Sequence, residues 1–189
     1  ALHMLAEKQK EGANTSLFIK LSGSAYSDES LLPWLYERYK SSRVEPQRLI
    51  FEVSECDVVG HISQVAKFCR TLKKMRSRIV IGSFGKEEEP FKMFKTVPAD
   101  FIKISQTLTD KVGKDDAMLG KVTSMVDEAH SMEKEVVAPN VESAESMAVL
   151  FQCGFDFIHG NFLQEPDVVM QYDFGDGEKS IHSSQLAMK

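Results

Sequence analysis

The sequence predicts an α/β fold on a parallel sheet, of the TIM-like (β/α)8 barrel type, with six of the eight strand–helix units in view. Three observations predict it. Short apolar segments alternate with segments of helical period along the chain. The apolar segments are too continuously hydrophobic to carry a solvated face, which marks parallel strands covered on both sides. Polar residues then gather where those segments end: Lys20, Glu52, Glu55, Lys103 and Glu142. An open doubly wound sheet shares the alternation, but the chain has no G-x-G-x-x-G turn after its first strand. Charged strand ends are where a barrel builds its active face.

The elements follow in order. Leu2 to Glu7 opens as a helix with no capping residue before it. Strand signals, short runs rich in β-branched and aromatic residues that end near polar or glycine-containing turns, occur at Leu17 to Leu21, Leu49 to Val53, Ile79 to Ile81, Phe101 to Ile104, Glu135 to Ala138 and Phe155 to Ile158. Between them, helical stripes form from Leu31, Leu32, Leu35, Tyr36 and Tyr39; from Ile62, Val65, Ala66, Cys69 and Leu72; from Leu119, Val122, Val126 and Ala129; and from Met147, Leu150 and Phe151. A whole barrel takes about 250 residues, so the expectation is a fragment lacking about two N-terminal strands. Its barrel part is expected at 1–166, with a partly mobile C-terminal tail at 167–189 carrying Tyr172 and Phe174. Open strand edges would then need cover from another chain or from the missing strands.

Composition narrows the function classes. At 189 residues, 42% hydrophobic and 27% charged, the chain can bury a core. Its net charge of −5 and lack of a basic run argue against a sequence-independent grip on DNA. No apolar run approaches the about 18 residues of a membrane span, and no signal peptide opens the chain, so a cytoplasmic protein is expected. The three cysteines, Cys56, Cys69 and Cys153, have neither disulfide nor zinc spacing and are expected to be buried free thiols. Trp34 and Tyr36 are expected to pack rather than to bind nucleic acid. His3, His61, His130 and His182 lack a second histidine at ligand spacing and receive no chemistry.

The strand ends carry Lys20-Leu21-Ser22, Glu52-Val53-Ser54-Glu55, Gly82-Ser83-Phe84-Gly85, Ile102-Lys103-Ile104-Ser105, Ala138-Pro139-Asn140-Val141-Glu142 and His159-Gly160-Asn161-Phe162-Leu163-Gln164-Glu165-Pro166. In order and spacing, from about Leu17 to Pro166, these resemble the EAL domain, a barrel that binds cyclic di-GMP and in active members hydrolyses it. The resemblance implies which residues of this chain stand in which role. Active members end the first motif with Asn-Leu-Ser, where this chain has Lys20. Their paired aspartates are Gly82 and Ser83 here, and their Leu-Lys-Ile-Asp keeps Lys103 but has Ser105 for the aspartate. Their Ala-Glu-Gly-Val-Glu has Pro139 for the first glutamate and keeps Glu142. Both acids of their Glu-x-x-Glu survive as Glu52 and Glu55. The Glu-Ala-Leu signature itself would lie upstream of residue 1.

Metal-assisted phosphodiester cleavage needs divalent ions held by several hard oxygen ligands. With metal ligands lost at Lys20, Gly82, Ser83 and Pro139, the resemblance implies a catalytically inactive receptor with no metal and no catalytic residue. It is closest to degenerate members of the FimX type, which govern type IV pili and twitching motility. Lys20 is expected either to set an ammonium beside Glu52, replacing the cation, or to be simply a tolerated polar strand end. The expected ligand is cyclic di-GMP, with no cofactor. Its expected contacts are Ser22 and Lys103 at phosphate, Phe162 or Pro166 stacked on a base, Glu165 accepting guanine N–H groups, Gly160 permitting close approach, and Asn161 and Glu142 completing the set. Other readings stand beside these: core packing for Phe162, a solvated loop charge for Glu165 (commonly basic in active members), and a turn for Ser22. Implied partners are a PilZ-domain protein and an upstream degenerate GGDEF domain, at the cell pole, with no DNA and no membrane span. The alternative function is a ligand-free interaction scaffold.

Overall fold

The computed structural model describes residues 2–12, 15–163 and 165; Pro166 and the segment 167–189, with Tyr172 and Phe174, lie outside them. Six strands form one sheet in chain order: β1 (Leu17–Lys20), β2 (Leu49–Ser54), β3 (Arg78–Phe84), β4 (Phe101–Ile104), β5 (Glu135–Ala138) and β6 (Phe157–Ile158). All neighbours are parallel, and the sheet curls into a half-barrel. The helices are α1 (Leu2–Lys10), α2 (Leu31–Ser42), α3 (Glu55–Gly60), α4 (Ile62–Lys74), α5 (Gln106–Thr109), α6 (Asp116–Ser131) and α7 (Ala144–Gln152). Every strand expected from the apolar pattern forms. The last is shorter, because Phe155 is buried in the turn that leads into it.

Two helices escape the periodicity because they are too short to show one. The first, α3, starts where β2 ends: Ser54 caps it, its Oγ accepting the Asp57 N–H at 3.1 Å. The second, α5, is four residues following Ser105.

Period-two alternation sends successive side chains to opposite faces of the sheet. Phe51, Val53, Ile79, Ile81, Ile102, Ile104, Val136 and Ala138 bury against Val65, Cys69 and Leu72 of α4 and Val122, Val126 and Ala129 of α6. Each such aliphatic side chain contributes about 1.5–3 kcal/mol when fully buried. The inner face holds a smaller cluster of Ile50, Val80 and Phe101. Phe18 and Phe157 flank Phe101 edge-on, at centroid distances of 5.7 and 6.1 Å.

Several surface expectations are corrected. Trp34 and Tyr36 are exposed; their rings lie under Arg38 and Lys40 one helical turn on, where a cation meets a ring face without burial. Ile62 and Phe151, at the rims of their stripes, are exposed as well. Cys69 and Cys153 are buried, but Cys56 is exposed, since it sits in the first turn of the short α3.

Paired acids tie the sheet at both ends. At the amino ends, Asp100 accepts the Ile79 N–H at 2.8 Å and pairs with Lys73. Asp156 does the same two repeats later, accepting from Val136 N–H at 2.6 Å and meeting His130 Nε2 at 2.9 Å. At the carboxyl end, Glu55 is 1% exposed. Its two oxygens accept the backbone N–H groups of Gly85 and Lys86 at 3.0 and 2.9 Å, which pins the segment after β3 to the start of α3. A carboxylate facing two buried N–H donors is isosterically replaced by an amide only at the cost of one donor–donor clash. Glu55→Gln is therefore expected to lower stability by about 1–3 kcal/mol, read as a shift of the urea unfolding midpoint with unchanged slope.

Candidate functional site

The inner face at the carboxyl ends of β2, β3 and β4 forms the candidate site. Parallel register sets Lys20 opposite Glu52 and Ser54 opposite Gly82. Alternation turns Glu52, Gly82 and Lys103 to the same side of the sheet as Ile50, Val80 and Phe101. Register between β3 and β4 runs Val80 to Phe101 and Ile81 to Ile102, then slips by one residue before Phe84 meets Ile104. The extra residue is a bulge at Gly82-Ser83, and Ser83 takes a left-handed φ of 55°.

Across this bulge Lys103 Nζ donates to Glu52 Oε2 at 2.9 Å. The side chains are 22% and 9% exposed. Strand β3 lies between the two, so the pair must pass over it. Gly82 makes that possible: a Cβ there would lie 2.5 Å from Glu52 Oε1 and 2.9 Å from its Cγ and Cδ. The carboxylate occupies the space a side chain at 82 would take. Removing one partner of a buried pair costs about 3–5 kcal/mol when the other is left desolvated; the partial exposure of Lys103 moderates that here.

The ammonium that meets Glu52 thus belongs to Lys103. Lys20, expected in that role, is exposed on the outermost strand and keeps its hydration, whereas Lys103 reaches the buried carboxylate through the gap at Gly82. Ser105 is 2% exposed; its N–H donates to Phe84 O at 2.8 Å and its Oγ shares a hydrogen bond with Thr107 Oγ1 at 2.9 Å. Among the described residues, no three His, Cys, Asp or Glu side chains are grouped to hold a metal ion, and no helix is long and apolar enough to cross a membrane.

The remaining site residues divide. Asn161, Phe162 and Glu165 are exposed in the turn following β6, and Phe162 at 45% is free of the core. Gly160 does permit a close approach, but to the chain itself: a Cβ would lie 2.2 Å from both N and O of Val141. Val141 N–H donates to His159 O at 3.0 Å, and Phe162 N–H to Val141 O at 3.1 Å, so this glycine seats the loop. Ser22 is exposed and hydrogen-bonds Ser24 within a short 3-10 turn, at 2.8 Å. Glu142 is exposed, accepts from Asn140 Nδ2 at 3.2 Å, and lines a separate groove of 570 Å³ with Asp110, Lys114 and Ser143. Pro166 is outside the described residues.

His159 joins the site although no role was read for it in the sequence; its place at the end of β6 was the available signal. Desolvation, then the field of Lys103, pushes its pKa below the usual 6.5, while Glu52 opposes them. The unfolded chain therefore binds a proton more readily than the native one. The sign follows: the neutral ring is accommodated above pH 6.5, and native stability falls as pH drops from there through the lowered folded pKa. Chemical denaturation across pH 7 to 5 (roughly the range of histidine titration) is expected to show a loss of stability that His159→Gln makes shallower.

Residues 1–166 match the family model of the EAL domain. The signaling protein YkoW of Bacillus subtilis (strain 168) is 25% identical over 166 residues, which are 86% of this chain and 20% of YkoW. The probable cyclic di-GMP phosphodiesterase PdeA of Escherichia coli (strain K12) is 28% identical over 134 residues, 70% of this chain and 18% of PdeA. The chain thus spans a minor part of these relatives. The crystal structure of the FimX EAL domain from Pseudomonas aeruginosa bound to c-di-GMP matches with a TM-score of 0.84 and 32% identity, covering 92% of this chain and 69% of that one. With its half-barrel, its order of strand-end motifs and this match over most of its length, the chain belongs to the EAL domain family.

Proposed function

We propose that this chain is a receptor domain that binds cyclic di-GMP without a divalent cation, does not hydrolyse it, and signals through a protein partner. One observation carries the reading: Glu52 is ion-paired with Lys103 across Gly82. A magnesium or manganese ion needs several hard oxygen donors in a near-octahedral array. Here Glu52 is the single carboxylate among the ligand positions in view, and an ammonium already holds it. Gly82 and Ser83 offer no carboxylate, and Lys20 and Pro139 offer none either. The donor set does not fit the metal, so no cleavage step is routed through one.

The likeness to the FimX EAL domain bound to c-di-GMP supports the ligand. Lys103 is the cation at the mouth for a phosphate, with Ser22 as a second donor. The exposed ring of Phe162 is available for a guanine face and the carboxylate of Glu165 for its N–H edge. Gly160 holds this loop in place, and Asn161 and Pro166 complete the proposed set. The same likeness underlies the finer reading: a cytoplasmic protein acting at the cell pole in type IV pilus biogenesis and twitching motility, with a PilZ-domain partner and an upstream degenerate GGDEF domain. A second reading, a ligand-free scaffold, is favoured by the internal pairing of Lys103, whose ammonium is already held by Glu52.

Calorimetric titration of cyclic di-GMP in EDTA separates the two. Micromolar or tighter binding is expected, with no linear product formed when Mg²⁺ or Mn²⁺ is added; absence of binding favours the scaffold, and metal-dependent product overturns the receptor. Phe162→Ala is expected to weaken binding roughly tenfold or more, since stacking of a base on a ring is worth about 1–3 kcal/mol, with the melting temperature unchanged because the ring is exposed.

A further inference from the structure

Resting on the receptor reading, we infer that Glu52 is an internal competitor for the ligand's phosphate: its carboxylate occupies Lys103, and binding requires the phosphate to take that ammonium over. Three features point to it. The Lys103 Nζ is the group suited to a phosphate at this end of the sheet, and it already donates to Glu52 Oε2 at 2.9 Å. The carboxylate is seated rather than drifting, since it fills the space left by the absent side chain of Gly82. It is also poorly hydrated, at 9% exposure against 22% for Lys103, so the exposed side of the pair is the cation.

The charge balance determines the direction of the effect. Glu52 and Lys103 together are neutral, and the third group facing them, His159, is held toward its neutral form by desolvation and by Lys103 itself. An incoming phosphate therefore meets no net positive charge from these three groups and approaches a fixed carboxylate, while the further cation at this end, Lys20 at the close of β1, is exposed to solvent. The proton-neutral replacement Glu52→Gln keeps the side chain's shape and its reach over Gly82 while releasing one positive charge to the site. Glu52 in this view sets affinity, and Gly82 is the positioning residue that seats it.

The test is a titration of cyclic di-GMP in EDTA into the full-length natural protein and its Glu52→Gln variant, each first checked by thermal melting. Binding about tenfold tighter in the variant is expected, the order produced by removing one unit charge a few ångströms from a phosphate in a partly buried site. That gain must shrink markedly in a Lys103→Gln background, because the part that acts through the ammonium is lost and only the direct repulsion by Glu52 is left to relieve. If Glu52→Gln does not fold, Glu52→Ala is read in the same way. Binding by the variant but not by the parent supports the competition by Glu52 and overturns the receptor reading of the natural chain. Parent binding with equal or weaker binding by the variant overturns it and leaves the receptor reading standing. Binding by neither overturns both.

Discussion

A carboxylate and an ammonium on strands separated by a third can meet only where the middle strand carries no side chain between them. Gly82 supplies that gap, and Glu52 and Lys103 close over it. The rest of the site is arranged around this contact. The bulge at Gly82-Ser83 sets the β3–β4 register so that Lys103 arrives where Glu52 can reach it. Any side chain at position 82 would have to displace Glu52 to enter, so the ion pair depends on glycine there.

The scaffold holds this arrangement rigid with acids placed at the two ends of the sheet. Asp100 and Asp156 accept the N–H of the second residue of the neighbouring strand and each meets a basic side chain from a helix, Lys73 or His130. Glu55 accepts two N–H groups from the segment after β3 and fixes the far side of the bulge. These are backbone donors that the sheet ladder does not serve, and buried donors must find partners. Glu55 thus meets backbone N–H groups, whereas Glu52, three residues before it, meets the ammonium of Lys103.

How much was legible beforehand differs by length scale. The six strands were readable because parallel strands buried on both faces are nearly continuous apolar runs. The helices α3 and α5, at six and four residues, span too few turns to show a period. The ammonium beside Glu52 was sought at Lys20, its register neighbour, yet came from Lys103, two strands away. Sequence spacing shows what is adjacent along a ladder; it does not show that a missing Cβ opens a route across one. His159 went unread for the same reason: only the curl of the sheet brings the end of β6 into the field of Lys103 and Glu52.

By itself the sequence determined the alternation of strands and helices and the residue types that stand at the strand ends, since hydrophobic pattern and residue identity are local properties of the chain. The tertiary structure decided which charges meet. It paired Glu52 with Lys103, assigned Gly160 to a backbone contact with Val141, left Phe162 open to solvent, and set Glu142 against a different groove. Those outcomes depend on distances between strands and on volume left empty by glycine, and both arise only when the sheet curls and its side chains compete for the same space.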